Sequence, residues 1–158
     1  MLNELQNYFT LEAIYLWINF CILPFWLMII FIPNYKITQF LVNSLIIPLI
    51  LASTYFYVIY QGFLLEENFF IEIFNLYWGL DHLYTIFSNE IFLLAFWLHF
   101  ISLNIFLASW VSRDAIKFNI SRGMVFIPIV LIYFTGPLGL ILYWFIRIFY
   151  AKKLRLHD

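Results

Sequence analysis

The sequence predicts an all-α protein, an integral membrane bundle of four transmembrane helices with an interfacial amphipathic helix between spans 2 and 3. Three observations lead there. Of the 158 residues, 65% are hydrophobic and 11% charged, and mean hydropathy is +0.94, against an apolar fraction of ~45–50% in soluble domains. The apolar residues collect in runs of about 20, the length at which a helix crosses a hydrocarbon core ~30 Å thick. These runs are continuously apolar rather than alternating, so they do not read as barrel strands, and an open sheet would leave its edges unsatisfied in lipid. A chain of this length reads as a single membrane domain, 1–158.

The expected spans are 13–32, 38–60, 91–112 and 124–146. The first is not a cleavable signal: its apolar run is too long, no basic segment precedes it, and no small-residue cleavage site follows. Short connections at 33–37 and 113–123 make neighbouring spans antiparallel. The connection 61–90 differs, because it carries Glu66, Glu67, Glu72, Asp81 and Glu90 and no lysine or arginine. Within it Phe69, Phe70, Ile73, Leu76 and Tyr77 recur at helical spacing, which predicts an interfacial helix over about 63–78 that breaks at Trp78-Gly79. Ser88-Asn89-Glu90 reads as the cap of the third span, with a carboxylate in its first turn.

Proline sits inside spans one, two and four (Pro24, Pro48, Pro128) and is missing from span three. Three bent helices around a straight one would leave gaps for a ligand. The segment Thr135-Gly136-Pro137-Leu138-Gly139 interrupts the last run. The plainer reading is one kinked helix, since neighbours satisfy the carbonyls a proline frees; the alternative is a re-entrant turn. Charge separates the two. Four simple crossings put Lys36, Arg113, Lys117 and Arg122 on one side and Arg147, Lys152, Lys153 and Arg155 on the other, a tie under the positive-inside count. A re-entrant turn would put all eight on one face. Gly136 and Gly139 allow close backbone approach in either case.

His99 stands near the middle of the uncharged run Ile91–Ser112, about 14 Å of helix from Glu90 and about 21 Å from Arg113. An ionisable group at bilayer depth is costly and marks a functional site by default. Ala95, His99, Leu103, Phe106, Trp110 and Arg113 share one helix face within about 40°, while Trp97 and Asn104 point elsewhere. If the His99 face turns inward, Asn19, Asn43, Ser44, Ser53, Thr54 and Thr135 are its potential partners, or else simple interhelical hydrogen bonds.

Much chemistry is excluded. The three histidines, His82, His99 and His157, are too scattered for a di-iron cluster or a bis-histidine haem. Every lysine lies outside the spans, so a buried Schiff base has no amine. There is no glycine-rich phosphate loop and no serine-nucleophile arrangement. Cys21 is the sole cysteine, so neither a disulfide framework nor a cysteine metal cluster can form, and it reads as a packing residue. No basic patch suited to nucleic acid appears outside the short tail. Asp81-His82 with Glu72 reads as solvated loop rather than metal site. No cofactor is implied. A transporter would need a second repeat that this chain does not show, although a homodimer could supply one.

Four stretches, PFWLMIIFIP (24–33), LYTIFSNEIFLLAFWLHF (83–100), SWVSRDA (109–115) and TGPLGLILYWFIR (135–147), resemble in order and spacing the abscisic-acid-deficient-four-like family. These are small four-helix membrane proteins linked in plants to neoxanthin synthesis. The resemblance implies the four-span architecture and an association with carotenoids, and it marks His99, Trp110, Arg113, Asp114, Gly136, Pro137 and Gly139 as motif positions. The family pattern carries an acidic residue five positions after the histidine; here that place is Asn104. Neoxanthin formation opens a 5,6-epoxide to an allenic alcohol without net redox change, and it needs an acid at the epoxide oxygen and a base for the departing proton. The candidate catalytic groups are therefore His99 and Asp114. Trp97, Asn104, Trp110, Arg113, Gly136, Pro137 and Gly139 are candidates for ligand binding, with Arg113 and Asp114 expected chiefly to clamp the end of span three. Two functions are expected: a carotenoid epoxide isomerase or pathway component, or a non-catalytic pigment-binding or assembly subunit of a larger membrane complex. The partners are the lipid bilayer and an apolar polyene, for which 23% aromatic residues provide surface.

Overall fold

The computed structural model describes residues 9–42, 44, 46–65 and 68–152. Asn43, Glu66, Glu67, Lys153, Arg155 and His157, as well as the side chain of Phe70, lie outside the described residues. Among the described residues there are helices and no strand: α1 (Leu11–Phe31), α2 (Lys36–Leu41), α3 (Ile46–Leu65), α4 (Phe69–Asn75), α5 (Leu80–Phe87), α6 (Glu90–Lys117), α7 (Arg122–Thr135) and α8 (Pro137–Ala151). Among the described residues, three stretches are long and apolar enough to cross a membrane: Leu11–Phe31, Lys36–Leu65 and Glu90–Lys117.

Local chemistry sets the helix ends. Thr10 Oγ1 accepts the Ala13 N–H at 3.2 Å and Glu12 occupies the first turn of α1, where a carboxylate complements the helix dipole. Pro33 prevents continuation, and the Thr38 hydroxyl, 1% exposed, ties α2 back by donating to the Ile32 carbonyl at 2.7 Å. Pro48 is the third residue of α3, where the missing N–H has no helical acceptor to lose. The expected cap of α6 is present, since Asn89 Oδ1 accepts the Phe92 N–H at 3.0 Å and Glu90 opens the helix. The connection before α6 holds two short helices. They are separated at Gly79, whose φ of 153° lies in the region open to glycine. The single helix expected over 63–78 is instead the last residues of α3 followed by α4, and α5 was not anticipated.

The fourth expected span is not one helix. It divides at Gly136 into α7, 14 residues, and α8, 15 residues, each only about 21–23 Å long. Gly136 has φ 60°, and the chain reverses there. Near the turn, a Cβ placed on Gly139 would stand 2.5 Å from the Pro128 carbonyl oxygen and the Ile132 nitrogen. At the open ends, the Tyr150 hydroxyl donates to Met124 Sδ at 3.1 Å. In a continuous helix those two residues would be about 39 Å apart. The segment is a helical hairpin and not the single kinked helix of the plainer expectation.

Packing divides the chain into two units, one formed by Met1–Ile22 and Leu49–Phe100, the other by Leu23–Pro48 and Ile101–Asp158. Unit 1 is centred on Ile14, Leu51, Val58, Leu94 and Leu98. Unit 2 is centred on Ile29, Ala108, Val111, Ile132 and Tyr143. Their charges differ in kind. Unit 1 contains no lysine or arginine, and all eight in the sequence belong to unit 2. Among the described residues of unit 2 the one carboxylate is Asp114.

Candidate functional site

Helix α6 supplies most of the sequence-derived candidates, and its two faces behave oppositely. Of the expected stripe, His99, Leu103, Phe106 and Arg113 are exposed, Trp110 is half-buried and Ala95 is buried. The buried residues Leu94, Leu98, Ile101, Ala108, Val111 and Ala115 centre about 200° away on the helical wheel. The expectation that His99 turns inward is therefore corrected. Its ring lies beside Tyr55, centroid to centroid 6.4 Å and tilted by 48°, and it makes no hydrogen bond among the described residues. Within unit 1 the neighbours of this part of α6 pack on the side of Leu94 and Leu98, 6% and 0% exposed, which leaves the His99 side chain open.

The expected polar companions of His99 bond elsewhere. Thr54 and Thr135 donate to the carbonyls of Ile50 and Leu131, four residues back. Asn19 Nδ2 donates to the Tyr15 carbonyl at 2.7 Å, and Asn19 Oδ1 accepts the Trp97 indole N–H at 3.3 Å. Trp97 also stacks on Phe100 with centroids 5.5 Å apart, so this candidate ligand contact is engaged within unit 1.

The strongest polar arrangement is in unit 2. Trp110, Asp114 and Phe118 recur every four residues along α6 and its C-terminal extension, and Tyr143 and Arg147 do so on α8, so each set forms a stripe. The stripes interlock. Asp114 Oδ2 accepts the Tyr143 hydroxyl at 2.7 Å and Arg147 Nε at 2.7 Å. Trp110 meets the Tyr143 ring edge to face at 5.9 Å, and the Arg147 guanidinium lies 4.8 Å over Phe118. Arg147 and Tyr143 are 1% and 0% exposed. A cation this deeply buried is tolerated only when paired and hydrogen-bonded. Asp114 thus clamps α6 to α8 rather than the end of α6 alone, and Arg113 takes no part in that clamp. Sequence reading placed Arg147 among the tail charges and did not single out Tyr143. The i, i+4 spacing of Tyr143 and Arg147 was the available signal, together with Asp114 standing alone among bases.

Asn104 is 4% exposed and sits at the hairpin turn. A Cβ on Gly136 would stand 2.5 Å from Asn104 Oδ1, whereas the buried Asn104 Nδ2 has no hydrogen-bond partner among the described residues. Of the other turn candidates, Gly139 is buried in α8 and Pro137 opens it exposed. Hence unit 2 brings Asn104 to Gly136 and Trp110 to Asp114, while His99 and Trp97 belong to unit 1. Among the described residues there is no group of three or more His, Cys, Asp or Glu arranged to hold a metal ion.

An apolar groove of about 720 Å³ lies in unit 1 between α1 and α3. Its walls include Ile14, Trp17, Ile18, Cys21, Ile50 and Tyr57, and Phe9 packs edge-on against Tyr57 at 6.3 Å. The polar residues on it are Ser53 and Thr54, and the Thr54 hydroxyl is already turned to its own helix.

Comparison with known proteins places these features. No curated protein and no solved structure matches the chain. The profile of the family described as ABA DEFICIENT 4-like matches residues 13–143, a range that takes in the groove, both faces of α6, the hairpin turn and Tyr143. The chain belongs to the ABA4-like family.

Proposed function

We propose that the protein is a multi-pass integral membrane protein of carotenoid metabolism that holds an elongated apolar polyene as a pathway component. The groove of unit 1 carries this reading. Its volume of about 720 Å³ falls in the ~300–1,000 Å³ range of small-molecule sites, and its lining offers aromatic and aliphatic surface with hardly any polar demand. An apolar polyene fits such a lining, because burying its surface needs no compensating hydrogen bonds. Family membership supports a carotenoid as the polyene.

The test is pigment analysis. The full chain is expressed in a carotenoid-producing bacterial host, purified in detergent, and its extract examined by absorption and chromatography. The expected result is a bound polyene that is lost when Ile50→Trp fills the groove. A colourless protein from a pigmented host would overturn the reading.

A finer reading, redox-neutral epoxide isomerisation, rests on one observation: His99 is exposed and so reachable by a lipid-dissolved substrate. It would serve as the proton-transfer group; Asp114, about 22 Å further along α6 and held by Tyr143 and Arg147, would not reach the same epoxide. The same extracts decide it, since an isomerase converts an added epoxycarotenoid and His99→Gln abolishes conversion while leaving bound pigment unchanged. Bound pigment without conversion supports the non-catalytic holder instead.

A further inference from the structure

We propose that unit 2 contains a binding site for the phosphodiester headgroup of an anionic glycerophospholipid, at a cavity formed by the end of α1, the end of α6 and the start of α7. The cavity measures about 260 Å³, a size for a headgroup rather than a whole lipid.

Its lining is divided. Asn34, Asn119, Ser121 and Arg122 come from the connections at the ends of these helices, and Ile29, Ile116, Phe126 and Ile129 come from the helices themselves. Ser112 also opens onto it, 5% exposed and with a hydroxyl that no hydrogen bond among the described residues uses. Ser121 stands at the N-cap of the 14-residue helix α7, yet its side chain does not cap. Met124 and Val125 donate to the Ser121 carbonyl, so the N–H groups of Arg122 and Gly123 and the positive end of the helix dipole are what is offered to an anion.

Charge selects the ligand. Arg122 is the single charged residue on the lining, and no carboxylate lines it. An ammonium or choline group would find no counter-ion there, so a zwitterionic lipid gains less than an anionic one. The isoleucine and phenylalanine wall would be wasted on a free inorganic anion but continues naturally along acyl chains, and the adjacent Phe31 and Ile127 are 61% and 58% exposed. The assignment also agrees with the confinement of every lysine and arginine to unit 2, since basic residues near the surface attract anionic lipid. It is independent of the groove in unit 1.

The experiment uses the purified full chain in a zwitterionic detergent, titrated with phosphatidylglycerol, phosphatidylcholine or inorganic phosphate. Bound lipid is counted by native mass spectrometry and thermal stability is followed in parallel. Phosphatidylglycerol should bind saturably, one per chain, and raise the unfolding temperature. Arg122→Gln should weaken it ~10-fold, the scale of one charge-assisted hydrogen bond. Ser112→Leu, which fills the cavity, should abolish it. Lys152→Gln removes a base outside the lining and should leave it unchanged. Three results would overturn the proposal: equal binding of phosphatidylcholine, stabilisation by inorganic phosphate alone, or equal weakening by Arg122→Gln and Lys152→Gln, which would indicate diffuse attraction.

Discussion

His99 in unit 1 and Asp114 in unit 2 were the two ionisable candidates on one helix, and they have met opposite fates. His99 is exposed beside a tilted tyrosine ring. The Asp114 side chain is 10% exposed and accepts two hydrogen bonds from α8. Depth along a helix sets how costly an ionisable group is, but rotation about the helix axis sets whether it acquires partners. Fifteen positions at 100° each put Asp114 about 60° from His99 and about 100° from Arg113 on the helical wheel, enough to pass from an open face to a packed one. The pairing also explains how a buried arginine persists in so apolar a chain: the Asp114 carboxylate and the face of the Phe118 ring stand in for water that it gives up.

The comparison breaks most visibly at the ion pair. Asp114→Ala should destabilise the protein by about 3–5 kcal/mol, because it removes the carboxylate to which the buried Arg147 and Tyr143 both donate, and thermal unfolding in detergent would show it. The double replacement Asp114→Leu with Arg147→Met should recover much of that loss, since a buried pair exchanged for apolar groups is often nearly neutral. If the double variant is no better than the single ones, the pair acts through more than mutual compensation.

The hairpin comes next. Gly139→Val should cost about 1–3 kcal/mol by overpacking, because its new Cβ would meet backbone atoms, which cannot rotate away. Gly136→Ala should cost about 1–2 kcal/mol from the positive φ alone, plus displacement of Asn104. The hairpin itself is checked by cysteine pairs in a Cys21→Ser background. Met124→Cys with Tyr150→Cys should be joined by a short bismaleimide, which a continuous helix would forbid.

The smallest effect belongs to His99. His99→Gln should alter stability by less than about 0.5 kcal/mol, as substitutions away from packed features do. A large loss there would mean that His99 has a structural partner and would erase the contrast between the two sites.

Membrane-length apolar helices, the cap at Asn89, the break at Trp78-Gly79 and the family were all legible in the sequence, because each rests on local composition, spacing or capping chemistry. The shared stripe of His99, Leu103, Phe106 and Arg113 was legible too. Its direction was not, because a helix apolar all round gives no hydropathy difference between its inner and outer faces. The same uniformity hid the end of the last run: proline and glycine announced an interruption at 136–137, while the choice between kink and hairpin depended on contacts such as Gly139 with Pro128.

What the sequence by itself determined is the material: helices long enough for lipid, bases confined to one set of segments, and flexible residues at the turn. Only the tertiary structure decided that α7 folds back on α8, that Tyr143 and Arg147 close on Asp114, and that Asn104 rather than His99 is buried. The reason is physical. Helix formation and capping are settled within a few residues, whereas side-chain volume decides which face of an apolar helix is packed, and that comparison exists only once the neighbours are in place.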